Sequence, residues 1–332
     1  MRMPRFAVWM FPLGVLVLGG GFASGQTTST SSGQAYPNRP IRFVVSVAPG
    51  GTQDANARAV ATQLSGQIGH TVVVDNRGGA SGIIGSDIVA KSAPDGYTLL
   101  YAATAFIITP NLVKNIPYDI SKDFAPITKV AVSEGDLLLV HPSVPAHSVK
   151  ELIVLAKARQ FSYSSPGVGN SLHLAMETFN VRAGTQMLHV PYKGAGPALN
   201  ALLGNEVQVM FIPPTVAVQH VKAERVRALG YSGPKRLEAL PDLPTIAEAG
   251  LPGFQKPPGW QALLAPAKTS AGIINRLHTE VRKALQVPRL REYFLAAGYE
   301  PAGDPPVQFQ KDFQADIKRF AELVRAARLE PR

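Results

Sequence analysis

Phe43-Val44-Val45-Ser46-Val47-Ala48-Pro49-Gly50-Gly51-Thr52-Gln53-Asp54-Ala55-Asn56-Ala57-Arg58 decides how the chain is read. Its first five residues form an apolar run of strand length, bounded by turn residues. Pro49-Gly50-Gly51 stops the run, and a helical pattern follows. Glycines permit positive φ and a close approach of backbone to a ligand. Thr52 is placed to cap the helix, and Asp54 falls in the first turn, where the macrodipole favours negative charge. A glycine turn from strand into helix leaves main-chain N–H groups pointing outward, which is the physical description of an anion site. An ordinary β–α turn built on glycine geometry is the competing reading.

Working outward, strand and helix alternate. A strand is expected over 41–47 and a helix over 54–68, with Ala57, Val60, Ala61, Leu64 and Ile68 on one face. Gly69 ends that helix. A strand at 71–74, a helix at 83–91 and a strand at 97–101 follow. The third strand runs into Thr104, Ala105 and Phe106, at the carboxyl end where open α/β sheets bind ligands. A long apolar strand over 132–140 is broken at 133–136 and stopped by His141-Pro142.

From residue 148 the alternation restarts. Helices are expected at 149–158, 171–182, 197–203 and 216–223, with strands at 161–164, 187–190, 207–211 and 226–230. Ser165-Pro166-Gly167-Val168-Gly169-Asn170, followed by a helix from Ser171, repeats the opening device. A return strand at 260–264 precedes two long amphipathic helices, 273–284 and 307–326. The fold expected is α/β and two-lobed, each lobe a mostly parallel sheet flanked by helices, with a ligand cleft between them. Lobe 1 is expected over 38–136 plus 262–332, and lobe 2 over 137–261. Two facing helix N-termini would grip one carboxylate, each charged hydrogen bond contributing roughly 1.5–3 kcal/mol.

Composition narrows the function. The 332 residues are 45% hydrophobic and 17% charged, the balance of a folded protein rather than a disordered one. With no cysteine, disulfides, thiolate chemistry and Cys-ligated zinc are excluded. The formal charge of +10 is scattered, without the basic stripe that nucleic-acid binding needs, and a basic surface suits acidic small molecules. Arg2 and Arg5, the apolar 6–18 segment and the small residues near 23–25 have the order of a cleaved secretory signal over 1–25. The Ser/Thr-rich stretch that follows reads as a flexible leader over 26–37. The apolar segment is short for a membrane span, although an uncleaved anchor is an alternative.

The Gly78–Gly85 cluster fails the dinucleotide spacing, because Ala80 stands where the first glycine belongs, and it reads as structural. No cofactor is expected. The histidines form no His-Glu-x-x-His and no metal pair. A secreted hydrolase or other enzyme acting on a carboxylated substrate is the rival class. Ser165-Pro166-Gly167-Val168-Gly169 lacks the preceding glycine of a nucleophile elbow, and His173 reads as a packing or capping residue. Glu134 and Asp136 read as a solvated turn, and Lys193 as a surface lysine.

A family resemblance covers nearly the whole chain after the leader. A-P-G-G-T-Q-D at 48–54, V-V-V-D-N-R-G-G-A at 72–80, A-P-D-G-Y-T-L-L at 93–100, S-S-P-G-V-G-N-S-L-H-L-A at 164–175, H-V-P-Y-K-G at 189–194 and L-P-T-I-A-E-A-G-L-P-G at 243–253 occur in order. In these the chain resembles the substrate-binding proteins of tripartite tricarboxylate transporters, the periplasmic Bug receptors. The resemblance implies a hinged monomer that holds a carboxylate and hands it to a transporter-type permease or a sensor, without catalysis. It implies that Gly50, Gly51 and Asp54 belong to one half of the grip, where Pro49, Thr52 and Gln53 are further ligand-binding candidates. Ser165, Gly167, Gly169, Ser171 and His173 match the other half, where Val168 and Asn170 are the further candidates. The departures are Thr52-Gln53 for Ala-Thr, Asn170 for Thr, Pro166, Ala105-Phe106 for Thr-His, and Ile212 where Asp is common. They suggest an aromatic or aliphatic mono- or dicarboxylate whose far end meets Phe106, Ala105 and Ile212, with Thr104, Gln53 and Asn170 as polar selectors.

Overall fold

The computed structural model describes residues 36–327 and 329; the expected signal segment and the leader up to residue 35 lie outside these. Eleven strands are found among the described residues: β1 (Ile41–Val45), β2 (Val72–Asn76), β3 (Thr98–Ala103), β4 (Phe124–Ser133), β5 (Leu137–Val140), β6 (Ser162–Ser165), β7 (Leu188–Pro191), β8 (Val209–Ile212), β9 (Arg227–Tyr231), β10 (Gly259–Pro266) and β11 (Glu300–Pro301). The helices are α1 (Thr52–Ile68), α2 (Ile83–Ala90), α3 (Ala105–Ile108), α4 (Val149–Ala158), α5 (Ser171–Ala183), α6 (Ala195–Leu203), α7 (Pro214–Lys222), α8 (Ala271–Leu285), α9 (Pro288–Ala296) and α10 (Pro306–Ala326).

The strands form two sheets, ordered β11-β4-β10-β3-β1-β2 and β7-β6-β8-β5-β9. Four strands of the first sheet and four of the second run one way. Each sheet also holds one reversed interior strand, β10 in the first and β5 in the second. β10 pairs antiparallel with β3 and β4, and β5 with β8 and β9, so the sheets are mixed. These are the strands with which the chain enters each sheet from the other.

Side-chain alternation explains why both sheet faces are covered. Phe43 and Val45 of β1 pack against Val60 and Leu64 of α1 and Leu277 and Val281 of α8. Val44 points the other way, into a cluster with Phe309, Phe313 and Phe320 of α10. In the second sheet Leu138 and Phe211 face α4 and α5, while Leu139, Met210 and Ile212 face α6 and α7. Each such large apolar side chain contributes roughly 1.5–3 kcal/mol when fully buried.

Two segments, 134–136 and 232–258, connect the sheets. Asp136 and Lys256, one from each segment, form a buried ion pair. The Asp136 N–H donates to Ser232 Oγ at 2.8 Å, and the Ser232 N–H donates to the Asp136 carbonyl at 2.9 Å. Gly135 lies so close to Gly233 that a Cβ on Gly135 would stand 2.4 Å from the Gly233 nitrogen. The expected solvated turn is therefore corrected: Glu134 is exposed, but Asp136 is locked inside. The sheets' flanking layers also touch. Leu174 of α5 joins the cluster of Phe320, and Thr215 of α7 donates to the Ala297 carbonyl at 2.9 Å.

Other expectations shift. The break inside 132–140 is a change of sheet between β4 and β5. The return strand begins at Gly259, so residues 259–261 pair in the first sheet. A third helix, α9, sits between the two long ones, started by Pro288 at a position where its missing N–H costs nothing.

Candidate functional site

The first loop follows β1. Gly51, with φ −85° and ψ 167°, is the N-cap of α1, and Thr52 is the first helical residue with no side-chain cap, contrary to the expected capping role. Positive φ falls on Gly50, at 88°. Asp54 is buried, and its Oδ2 accepts the Gly50 N–H at 2.9 Å. Its Oδ1 accepts from Asn76 Nδ2 at 2.9 Å and pairs with Arg58 at 3.0 Å. Burial pushes the Asp54 carboxyl up, but the Gly50 N–H, Arg58 and Asn76 outweigh it and hold it below the ordinary value. Asp54 thus fixes the loop from behind and takes the Gly50 donor away from any ligand.

The N–H groups of Gly51, Thr52 and Gln53 take no partner within the described residues, as the first turn of a helix requires. Pro49, Gly50, Gly51 and Thr52 are exposed. The Gln53 side chain turns back, donating to the Tyr101 carbonyl at 2.7 Å, which leaves its backbone rather than its amide for recognition. Gly78 and Gly85 let the second glycine segment press against 46–48: a Cβ on Gly78 would stand 2.9 Å from the Ala48 nitrogen. That cluster is structural, as its failed motif indicated.

Beneath α1 lies a buried polar network. Gln261 Oε1 accepts from Asn56 Nδ2 at 3.1 Å and from Tyr101 Oη at 2.9 Å, and Tyr293 Oη donates to Asn56 Oδ1 at 3.0 Å. Nearby Tyr299 is pushed up to about 12 by burial and by the charge of Asp136. Nothing in the periodicity of 54–68 marks Asn56 as buried.

The third strand end behaves differently from expectation. Thr104 is buried, and its hydroxyl accepts the Trp260 N–H at 2.7 Å and donates to the Trp260 carbonyl at 3.2 Å. Its hydroxyl ties β10 to the end of β3. Phe106 points into the core, with ring centroids 4.9 Å from Phe124 and 6.3 Å from Phe313. Ala105 is half-buried at the start of α3. Ile212 is fully buried at the end of β8, facing Leu137 across the sheet. Phe106 and Ile212 therefore form no ligand surface and give no ground for an apolar far end.

The second loop follows β6. Ser165 is fully buried; its Oγ accepts the Gly167 N–H at 3.2 Å, donates to the Gly167 carbonyl at 3.1 Å and lies 2.6 Å from His189 Nε2. Gly167 and Gly169 hold φ of 139° and 80°, which side-chain-bearing residues rarely adopt. Asn170 caps α5, its Oδ1 accepting the Leu172 N–H at 2.9 Å, so the amide oxygen is engaged. His173 is buried, and its Nδ1 accepts the Gly169 N–H. The Val168 and Ser171 N–H groups take no partner within the described residues. A Cβ on Gly169 would stand 3.3 Å from Leu112 Cδ1, so this loop borders the segment that follows α3.

The structure thus brings 165–171 to the 104–112 segment. The first loop lies one strand away, β1 pairing Val45 with Tyr101 of β3. His189 and Lys256 were missed as structural partners. His189 is set opposite Tyr163 by the β6–β7 register, which the sequence does not display, and the aperiodic proline-rich stretch around Lys256 carries no signal for the latter. Among the described residues no cluster of three His, Cys, Asp or Glu side chains could hold a metal ion, and no helix is long and apolar enough to cross a membrane.

Two α/β sheets joined by two crossings, with helix N-termini at the carboxyl ends of their parallel strands, define a two-lobed periplasmic binding protein. The chain belongs to the tripartite tricarboxylate transporter receptor family, whose pattern matches residues 56–329. BugT of Bordetella pertussis is 36% identical over 93% of this chain and 95% of its own. R. palustris Rpa4515, solved with adipate, superposes with a TM-score of 0.81 at 34% identity, covering 90% of this chain and 100% of that one. MatC of Rhodopseudomonas palustris, solved with malate, gives 0.77 at 28% identity over 87% and 100%.

Proposed function

We propose that this protein is a periplasmic receptor that captures a small aliphatic carboxylate between two lobes and presents it to a tripartite-type permease or a sensor. The observation that carries the reading is the start of α1. Three successive main-chain N–H groups, of Gly51, Thr52 and Gln53, are without partners among the described residues, on a loop fixed from behind by buried Asp54. The N–H groups of Val168 and Ser171 are the matching donors of the second loop. Relatives solved with adipate and with malate make a dicarboxylate the first choice. The lobes comprise 38–136 plus 259–332, and 137–258, with the crossings as hinge and the Asp136–Lys256 pair holding them together. A signal over residues 1–25 directs export and is then removed, and the receptor works as a monomer.

Calorimetry with adipate, malate, benzoate, citrate and glutamate tests the ligand class. Saturable binding of adipate or malate is expected, and ligand at 100 times Kd raises stability by about 2.7 kcal/mol. Binding restricted to glutamate, where an ammonium must be matched, would overturn it.

One observation favours a second reading: Ser165 Oγ stands 2.6 Å from His189 Nε2, the contact of a hydrolase dyad. Full burial of Ser165 and its double engagement with Gly167 argue that the contact is structural. Ester hydrolysis abolished by Ser165→Ala would establish the enzyme instead.

A further inference from the structure

Behind the second loop lies a column of stacked rings from three elements. Tyr163 of β6 and His189 of β7 are register partners, with centroids 4.9 Å apart and planes at 19°. His173 of α5 stacks on His189 at 4.0 Å, also at 19°. The Tyr163 hydroxyl bonds the carboxyl of Glu177, one turn beyond His173 on α5. Both imidazoles hold the loop. A hydroxyl offers one proton and two acceptor positions. The three contacts of Ser165 Oγ are satisfied together when His189 Nε2 donates to it, the Gly167 N–H donates to it, and its own proton goes to the Gly167 carbonyl. His173 Nδ1 accepts the Gly169 N–H at 3.4 Å, a long bond that requires this nitrogen to be unprotonated.

We propose that His173 and His189 are positioning residues for the second loop, and that protonation of the stacked pair releases it, so that carboxylate affinity falls on acidification. The proposal rests on the reading of that loop as half of a carboxylate site. A proton on His173 Nδ1 turns an acceptor into a donor facing the Gly169 N–H. Two charged rings 4.0 Å apart in a buried setting repel. His173 stands in the first turn of α5, where the macrodipole also opposes a cation. Among the titratable groups around the pair, Tyr163 of β6 stacks on both rings, and its hydroxyl bonds Glu177 of α5. Burial raises the Tyr163 hydroxyl and the Glu177 carboxyl above their ordinary values. Gly167 and Gly169, at positive φ, depend on these bonds to keep the loop in shape.

Two measurements decide the matter. Without ligand, nuclear magnetic resonance follows the imidazoles and the Gly167 and Gly169 amides from about pH 8 to about pH 5.5, the range in which imidazoles titrate. The amides are expected to move with the midpoint of an imidazole; amides that stay still overturn the proposal, whatever the ligand proves to be. With adipate as probe, wild-type affinity should fall at least about tenfold over that range. His173→Gln keeps an acceptor for Gly169 and does not titrate. Whatever its affinity at the upper pH, that affinity should change little in acid, after the same correction for protonation of adipate itself. An equal acid loss in His173→Gln would overturn the proposal. Adipate that binds at no pH counts against the ligand class alone, and the amide titration still decides the histidines.

Discussion

The two glycine-rich loops use the same main-chain device and are held by opposite chemistry. The loop at 48–54 is braced by a carboxylate: buried Asp54 reaches back to the Gly50 N–H and is itself fixed by Arg58 and Asn76. The loop at 165–171 is braced by a serine hydroxyl and two stacked imidazoles. A repeated sequence pattern therefore does not mean a repeated support. The first brace is a carboxylate held below its ordinary value, whereas the second is the pair of imidazoles proposed above to respond to acid. The first loop should behave as the constant half of the grip and the second as the adjustable half.

The largest effect should come from Gly51→Val. Gly51 has an ordinary extended φ, and a Cβ added there would meet nothing within 4 Å, so the variant should fold, with the melting temperature lowered only by the poorer N-cap that valine makes. The added side chain instead covers the N–H groups a carboxylate must reach. Loss of two charged hydrogen bonds corresponds to roughly 3 kcal/mol, or about 100-fold in Kd by calorimetry. Normal folding with undiminished binding would remove the first loop from the site.

A smaller effect is expected for Asp54→Asn, which keeps an acceptor for Gly50 but loses the charge facing Arg58. Because the folded Asp54 carboxyl lies below its ordinary value, its stabilisation is present above the unfolded pKa, about 3.9, and is lost as pH falls through the folded one. Wild type and variant should therefore differ in melting temperature at neutral pH and converge in strong acid. A difference that persists below both values would mean that Asp54 acts by packing rather than by charge.

The strand–turn–helix units are legible in the sequence because period-2 and period-3.6 patterns are local, and the β6–loop–α5 unit repeats β1–loop–α1 visibly. What escapes is set by distant partners. Thr104, at a strand end, reads as a selector, yet its hydroxyl meets Trp260, 156 residues away. Position along the chain puts Phe106 and Ile212 beside the ligand, but α3 turns Phe106 into the core and the β8 pleat turns Ile212 toward α6 and α7. The role of Asn170 is legible in principle, since an asparagine just before a helix is a preferred N-cap. The reversed direction of β10 depends on which sheet the chain is returning from, a fact of topology that no window of sequence contains.

Closure of two lobes on one carboxylate is tested most directly by small-angle scattering on the same sample without ligand and with adipate at calorimetric saturation. Closure about the 134–136 and 232–258 crossings predicts a smaller radius of gyration with adipate. An unchanged radius at full occupancy would contradict it.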